Sequence, residues 1–217
     1  MVAALAAEAA VLAGARVLLS GMGPEAAAQA ATRLADEGVA ALMVFGVAGG
    51  LAPGLKPGDL VCPTEIIDEQ SRRYAADASW RARLLGRLPQ PPRDGALLTV
   101  QAPLLSAADK AAACKRSGAI AVDMESAAVA AVAAAAGLPF LVLRAISDSA
   151  NDAIPVALAG TVDRYGQPRL GRVLATLLRN PALIAELPRL SRGMNAALSS
   201  LRQAARAAGP ALSFDQP

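Results

Sequence analysis

Short apolar runs alternate with alanine-rich stretches along most of this chain. Met1–Leu5, Arg16–Ser20, Ala41–Val47, Asp59–Ile67, Ala96–Gln101, Ala119–Met124 and Phe140–Ile146 have the length and apolar character of buried strands. Glu25–Glu37, Ala107–Ser117 and Ser126–Ala136 read as helices, the first of them ended by Gly38. Gly21-Met22-Gly23-Pro24 and Ala48-Gly49-Gly50 are expected to be glycine turns. Asp68–Asp94 is polar and arginine-rich, is interrupted by Pro89, Pro91 and Pro92, and predicts a surface excursion with one helix around Ser79–Leu88. Beyond it the pattern changes: Leu170–Leu178, Pro181–Leu187 and Ser191–Ala208 are helical stretches with many arginines and no strand signal. The alternation predicts an α/β fold, with helices on both faces of a central twisted sheet that is mixed but largely parallel. A single three-layer αβα domain over residues 1–217 is expected, with a helical C-terminal extension from about residue 168.

Composition changes that picture little. The 217 residues suffice for one sizeable core. Mean hydropathy is high, at +0.39, and alanine supplies much of the excess. The longest uncharged run, Ser126–Leu143, is about long enough to span a bilayer, but Gly137 and Pro139 divide it into a helix and a short strand. The N-terminus has no basic start and carries Glu8 in its apolar stretch, so no signal peptide is expected. Cys62 and Cys114 are isolated and there is no histidine, which excludes a Cys/His zinc site, a Cys–His pair and a Ser-His-Asp triad. A cytoplasmic location is expected. The net charge of +3 and the 3% aromatic content give no argument for nucleic acid.

The chemistry is concentrated in two islands of charge, Asp123-Met124-Glu125 and Arg144 to Asp148, each at the end of a strongly apolar run. Carboxylates beside buried strand are costly unless something uses them. One helix and one strand separate Glu125 from Asp148, so both can reach the same edge of a sheet, where ligands of open α/β folds collect. Glu8, the Gly21–Gly23 turn and the Ala48–Gly50 turn fall at similar strand ends. Each also has a plainer reading. Glu8 and Glu125 suit the first turn of a helix, Asp148 suits an N-cap, Met124 suits the core, and the turns can be only turns. Arg144, inside an apolar strand, needs an anionic partner, for which Glu8 and Asp148 are candidates.

The phrases VFGVAGGLAPGLKPGDLV and AVDMESAAVAAVAAAAGLPFLVLRAISDSAND resemble the nucleoside phosphorylase/nucleosidase superfamily, which includes the methylthioadenosine/S-adenosylhomocysteine nucleosidases. The likeness runs from Met1 to about Asp152. DMES, RYGQPRLGRVLATLLRNP and the arginine-rich tail look closest to hopanoid-associated phosphorylases, which remove adenine from adenosylhopane in hopanoid lipid synthesis. The resemblance implies a phosphorylase/hydrolase-like fold and cleavage of an N-glycosidic bond. It gives Glu125 the ribose hydroxyls, Met124 the sugar face, Asp148 the role of acid at purine N7 with Ser147 as its support, Glu8 the activation of water, and Arg144 the holding of the nucleophile. Such a reaction passes through an oxocarbenium-like sugar, so an acid at the base and a carboxylate at the ribose both lower its barrier.

Two positions depart from the pattern. Val47 stands where nucleosidases carry a serine before Ala48 and Gly49, and Ala102-Pro103-Leu104 replaces the aromatic that stacks on the base; Val47, Ala48, Gly49, Ala102 and Leu104 are the expected substrate lining. No arginine occurs in SGMGPEA or FGVAGGL, where phosphorylases place them. This favours water as nucleophile and leaves inorganic phosphate as a co-substrate to be tested; no metal and no other cofactor is expected. Three functions stay open: adenine release from adenosylhopane, a methylthioadenosine/S-adenosylhomocysteine nucleosidase, and a non-catalytic nucleoside-binding module. Arg189, Arg192, Arg202 and Arg206, with leucines between them, form either a basic face that meets the inner membrane or the solvated side of helices packed on the sheet. The resemblance also implies a homodimer or larger homo-oligomer.

Overall fold

A computed structural model describes residues 1–12 and 16–214. The last three residues of the expected extension therefore lie outside the described part.

Two strands form the spine. The first, β3 (Leu42–Gly50), is preceded by β1 (Val2–Ala3), α1 (Ala6–Ala9), β2 (Leu18–Leu19) and α2 (Pro24–Asp36). The second, β9 (Phe140–Asp148), pairs parallel with β3 from Leu42↔Phe140 to Ala48↔Ile146. Side chains on these strands alternate between two cores, as the pleat requires. Leu42, Val44, Val142 and Ile146 pack against the alanine-rich faces of α2 and α5 (Ser126–Ala136). Met43, Phe45, Leu141 and Leu143 pack on the other side, against Trp80 and Leu84 of α3 (Ala78–Leu85) and Ala197, Leu201 and Ala204 of α8 (Leu187–Ala208). Each large side chain fully buried in this way stabilises the fold by ~1.5–3 kcal/mol. The result is the expected three-layer arrangement.

Between the spine strands the chain adds β4 (Leu60–Val61), β5 (Glu65–Ile67), β6 (Arg73–Ala75), β7 (Ala96–Thr99), α4 (Ala107–Ser117) and β8 (Ala121–Asp123). The strand order is β2-β1-β3-β8-β7-β5-β6, with β9 on β3 and β4 on β9. Five pairings are parallel, and β3–β8, β4–β9 and β5–β6 are antiparallel. The sheet is therefore mixed and largely parallel. After β9 come α6 (Val156–Ala159), α7 (Leu170–Arg179) and a 3-10 turn at Pro181–Ala185, which leads into α8.

Several expectations need correction. Ala48-Gly49-Gly50 is not a turn: β3 runs through it, and Gly49 and Gly50 pair with Val122 and Ala121 of β8. Asp59–Ile67 is two strands, because Pro63 cannot donate to a ladder and the chain changes partner there. The excursion Asp68–Asp94 contains β6, which the polar sequence hid, and its Trp80 is buried, with the indole N–H donating to the Leu212 carbonyl at 2.8 Å. The helix boundaries of α4 and α5 fall where the sequence put them.

Within the C-terminal extension, α8 is part of the core. Its glycine at position 193 lies directly on the Ser147 carbonyl, so close that a Cβ there would overlap it. Of the four arginines read either as a basic face or as the solvated side of packed helices, Arg192, Arg202 and Arg206 lie on the exposed side of α8. Arg189 is half-buried and bonds Asp152, Glu186 and the Ala153 carbonyl, and Arg192 donates to the Pro188 carbonyl. Among the described residues, no helix is long and apolar enough to cross a membrane.

Candidate active site

The carboxyl ends of β3, β8 and β9 bring together four buried acids, one arginine and one lysine. Glu8, Asp123, Glu125, Asp148, Arg144 and Lys110 are each less than a tenth exposed. Among the described residues every buried side-chain nitrogen and oxygen has a partner, so the cluster is a satisfied network.

Four consecutive residues of β3 form its floor. Gly46 sits opposite Arg144 in the strand register, and a Cβ on it would collide with Glu8 and come within 2.7 Å of the Arg144 guanidinium. The Val47 N–H donates to Glu8 Oε1 at 2.8 Å. The Ala48 carbonyl accepts from the Ser147 hydroxyl at 3.3 Å, and Gly49 lies against Asp148. The register of β3 against β9 shifts between Ala48 and Gly49, so Gly49 pairs with Asp148 and Ser147 is an added bulge residue. Bulges of this kind re-aim side chains beside active sites.

Glu8 is the third residue of α1. The N–H groups of Ala4 and Leu5, at 3.0 and 2.8 Å, hold its Oε2. Burial pushes its carboxyl up to about 7, against the opposing pull of Arg144 and of the Val47 and Leu5 donors. Glu125 is the N-cap residue of α5. Its Oε1 accepts from the Gly23 N–H at 3.0 Å, and its Oε2 from Arg144 at 3.0 Å and the Met124 N–H at 3.3 Å. Gly23 reaches this position with a φ of 104°, which side chains rarely adopt, and so opens α2 with its N–H aimed at the carboxylate. Burial raises the Glu125 carboxyl as well, with Asp123 adding to the effect and Arg144 opposing it.

Arg144 was expected to pair with Glu8 or Asp148. Its partners are instead Asp123, which accepts from both Nε (2.9 Å) and Nη2, and Glu125. Burial alone would lower the guanidinium, but the charges of Asp123, Glu125 and Glu8 outweigh it and hold the group above its ordinary value. Asp123 escaped the list of candidate residues although it stands in the same charge island as Glu125. Its Oδ1 accepts from the Thr99 hydroxyl at 2.7 Å and from the Ser126 N–H at 3.3 Å, so it ties β7, β9 and the start of α5 together. The Thr99 hydroxyl in turn accepts from the Ala127 N–H at 3.0 Å, satisfying another donor of that helix end.

Asp148 has a partner that sequence reasoning missed. The Lys110 ammonium forms an ion pair with its Oδ2 and donates to the carbonyls of Ser149 and Asp152 at 2.8 and 2.9 Å. The Ser147 hydroxyl donates to Asp148 Oδ1 at 2.6 Å. The only available signal was a lysine in the first half of an alanine-rich helix, and such a lysine is ordinarily exposed.

The residues expected to line the substrate differ in where they lie. Val47, Ala48 and Gly49 bound the cluster directly. Met124 and Leu104 both pack against the Leu51, Ile67, Leu98, Val100 and Val122 core. Ala102 stands exposed in the loop after β7.

Comparisons with known proteins agree with this fold. A family model described as the phosphorylase superfamily matches residues 11–179. A solved structure of a putative 5′-methylthioadenosine/S-adenosylhomocysteine nucleosidase from Francisella philomiragia is 26% identical over 62% of this chain and 68% of its own, with a TM-score of 0.58. The 5′-methylthioadenosine/S-adenosylhomocysteine nucleosidase of Neisseria meningitidis, solved in complex with methylthio-immucillin-A, is 19% identical over 94% of both chains, with a TM-score of 0.70. Futalosine hydrolase of Helicobacter pylori is 18% identical over 94% of this chain and 95% of its own, with a TM-score of 0.68. The last two likenesses are of fold.

Proposed function

The chain belongs to the phosphorylase superfamily, and from that membership we propose that it cleaves the N-glycosidic bond of an adenine nucleoside with water as the nucleophile. One observation carries the proposal: Glu8, Glu125 and Asp148 are buried at one sheet edge, each held in a different electrostatic setting. Three carboxyl groups in three settings can divide base, ribose and acid work among themselves.

Glu8 is the general base. A carboxyl that titrates near 7 can take a proton from water in neutral solution and release it afterwards. Glu125, fixed by the Gly23 N–H and Arg144, accepts from the ribose hydroxyls and stabilises positive charge as the sugar turns oxocarbenium-like. Asp148, held in place by Lys110 and the Ser147 hydroxyl, delivers a proton to N7 of the departing adenine and takes one back from solvent between turnovers. Arg144 is already committed to Asp123 and Glu125, which supports water over phosphate, since a phosphate dianion is usually bound by several free donors.

Two substrates remain in view. DMES and the RYGQPRLGRVLATLLRNP segment favour adenosylhopane and a place in hopanoid synthesis. The likeness to the Francisella nucleosidase favours methylthioadenosine or S-adenosylhomocysteine. Adenine release should be measured for each nucleoside alone and in competition, with and without inorganic phosphate. The expected products are adenine and a free sugar end, at a rate indifferent to phosphate. A sugar 1-phosphate overturns the assignment of water, and release of no base from any of the nucleosides overturns the enzyme.

A further inference from the structure

The segment from Arg164 to Asn180 carries an apolar face that nothing in the described chain covers. Leu170, Leu174 and Leu178, spaced one turn apart on α7, are 77%, 61% and 73% exposed. None of the residues of α7 is buried. Val156 of α6 and Ile184 of the 3-10 turn, whose elements pack against α7, extend the apolar surface at 74% and 56% exposure. Leucines presented this openly in helical register mark an interaction surface, unlike apolar residues scattered singly.

The charge around this face selects its partner. Arg164, Arg169, Arg172 and Arg179 lie in the segment, and no acid occurs between Asp163 and Glu186. On the helix, Arg172 and Arg179 project away from the leucine stripe, the arrangement of helices that lie flat in a bilayer interface. A second copy of the chain would set the same arginines against one another. The face is also short: a helix of ten residues offers less than the ~800 Å² per partner of a standard stable interface.

The face adjoins the active site. The loop that feeds α7 lies on the Gly21–Gly23 turn and on the start of α1: the Met22 N–H donates to the Arg164 carbonyl at 2.7 Å, and the Ala6 N–H to the Tyr165 carbonyl at 3.2 Å. On its other side a cleft of about 910 Å³, lined by Leu105, Ile154, Val156, Leu183 and Arg189, reaches Asp152, whose carbonyl accepts from Lys110.

We propose that α7 docks the protein on the surface of an anionic lipid bilayer, with Leu170, Leu174 and Leu178 at the acyl boundary and the neighbouring arginines among the headgroup phosphates. This places the mouth of the site at the membrane plane. The docking stands independently of which nucleoside is cleaved.

The test is flotation of the full chain with vesicles of phosphatidylcholine alone and of phosphatidylcholine mixed with phosphatidylglycerol. Binding is expected only to the mixed vesicles, and it should weaken as salt is raised. Replacing Arg169, Arg172 and Arg179 together by Gln should lower partitioning about fivefold per charge removed. The triple variant L170S/L174S/L178S should lose at least about tenfold per leucine, with an unchanged thermal unfolding transition because the side chains are already solvated. Failure of the wild-type chain to float with mixed vesicles overturns the proposal, as does equal flotation of the leucine variant. A wild-type dimer that becomes monomeric on Leu174→Glu, with no vesicle binding by either, assigns the face to a second copy and also overturns it.

Discussion

Three backbone N–H groups end on the Glu8 carboxylate, yet burial still lifts it to about 7. Desolvation outweighs both the hydrogen bonds and the nearby Arg144, because one guanidinium is shared among three acids and the Glu8 carboxyl is almost wholly buried. If Glu8 is the base, turnover should rise about tenfold per pH unit below pH 7 and level off above it, a profile that steady-state rates between pH 5 and 9 can trace. The sign for stability is opposite. A carboxyl raised on folding contributes stability that is present below its ordinary value of 4.5 and is lost as pH rises through about 7. Glu8→Gln should lower turnover by ~10²–10⁴-fold at pH 8 while nucleoside binding, measured by calorimetry, is retained. Asp148→Asn should likewise remove most turnover and spare binding, since its amide oxygen can still accept from Lys110; unchanged turnover would refute its role as the acid. Glu8, Glu125 and Asp148 were legible in the sequence because carboxylates beside apolar strand are conspicuous. Asp123 and Lys110 were not, because nothing local distinguishes a buried charge from a solvated one.

At the scale of elements, the site depends on how closely backbones approach. Gly46 on β3 leaves the space that Glu8 and Arg144 fill, so Gly46→Ala must displace a buried acid or a buried guanidinium. A loss of ~3–5 kcal/mol in denaturant unfolding, the usual cost of breaking a buried ion pair, is expected together with loss of activity. Lys110→Met on α4 should cost a similar amount by leaving Asp148 buried without its partner. Gly193→Ala tests the contact of α8 with Ser147: the backbone carbonyl cannot yield as a side chain can, so α8 must shift and carry the bulge at Ser147 with it. Activity should fall more than stability, read as turnover against unfolding midpoint. Helix boundaries in α4 and α5 were legible because alanine runs end at glycines that take the left-handed conformation, Gly118 and Gly137. The extension of β3 through Ala48-Gly49-Gly50 was not: two glycines read as a turn, whereas the antiparallel pairing with β8 makes them strand.

For the whole molecule, the sheet gathers at one edge side chains that are distant in the chain, from Glu8 to Asp148, and α7 stands beside that edge with its leucines uncovered. By itself the sequence determined the α/β layering, since short apolar strands and alanine-rich helices have few ways to bury their faces together. It also determined that no histidine takes part in proton transfer, since the chain contains none. Only the tertiary structure decided the partners: Arg144 with Asp123 and Glu125, Lys110 with Asp148, and α8 rather than solvent against Ser147. It also packed α8 on the sheet through Gly193, Ala197, Leu201 and Ala204, and left the leucine stripe of α7 uncovered. The reason is physical. Burial of apolar surface follows from patterns a few residues long, whereas the pairing of buried charges depends on distances fixed by crossovers and strand register across the whole sheet.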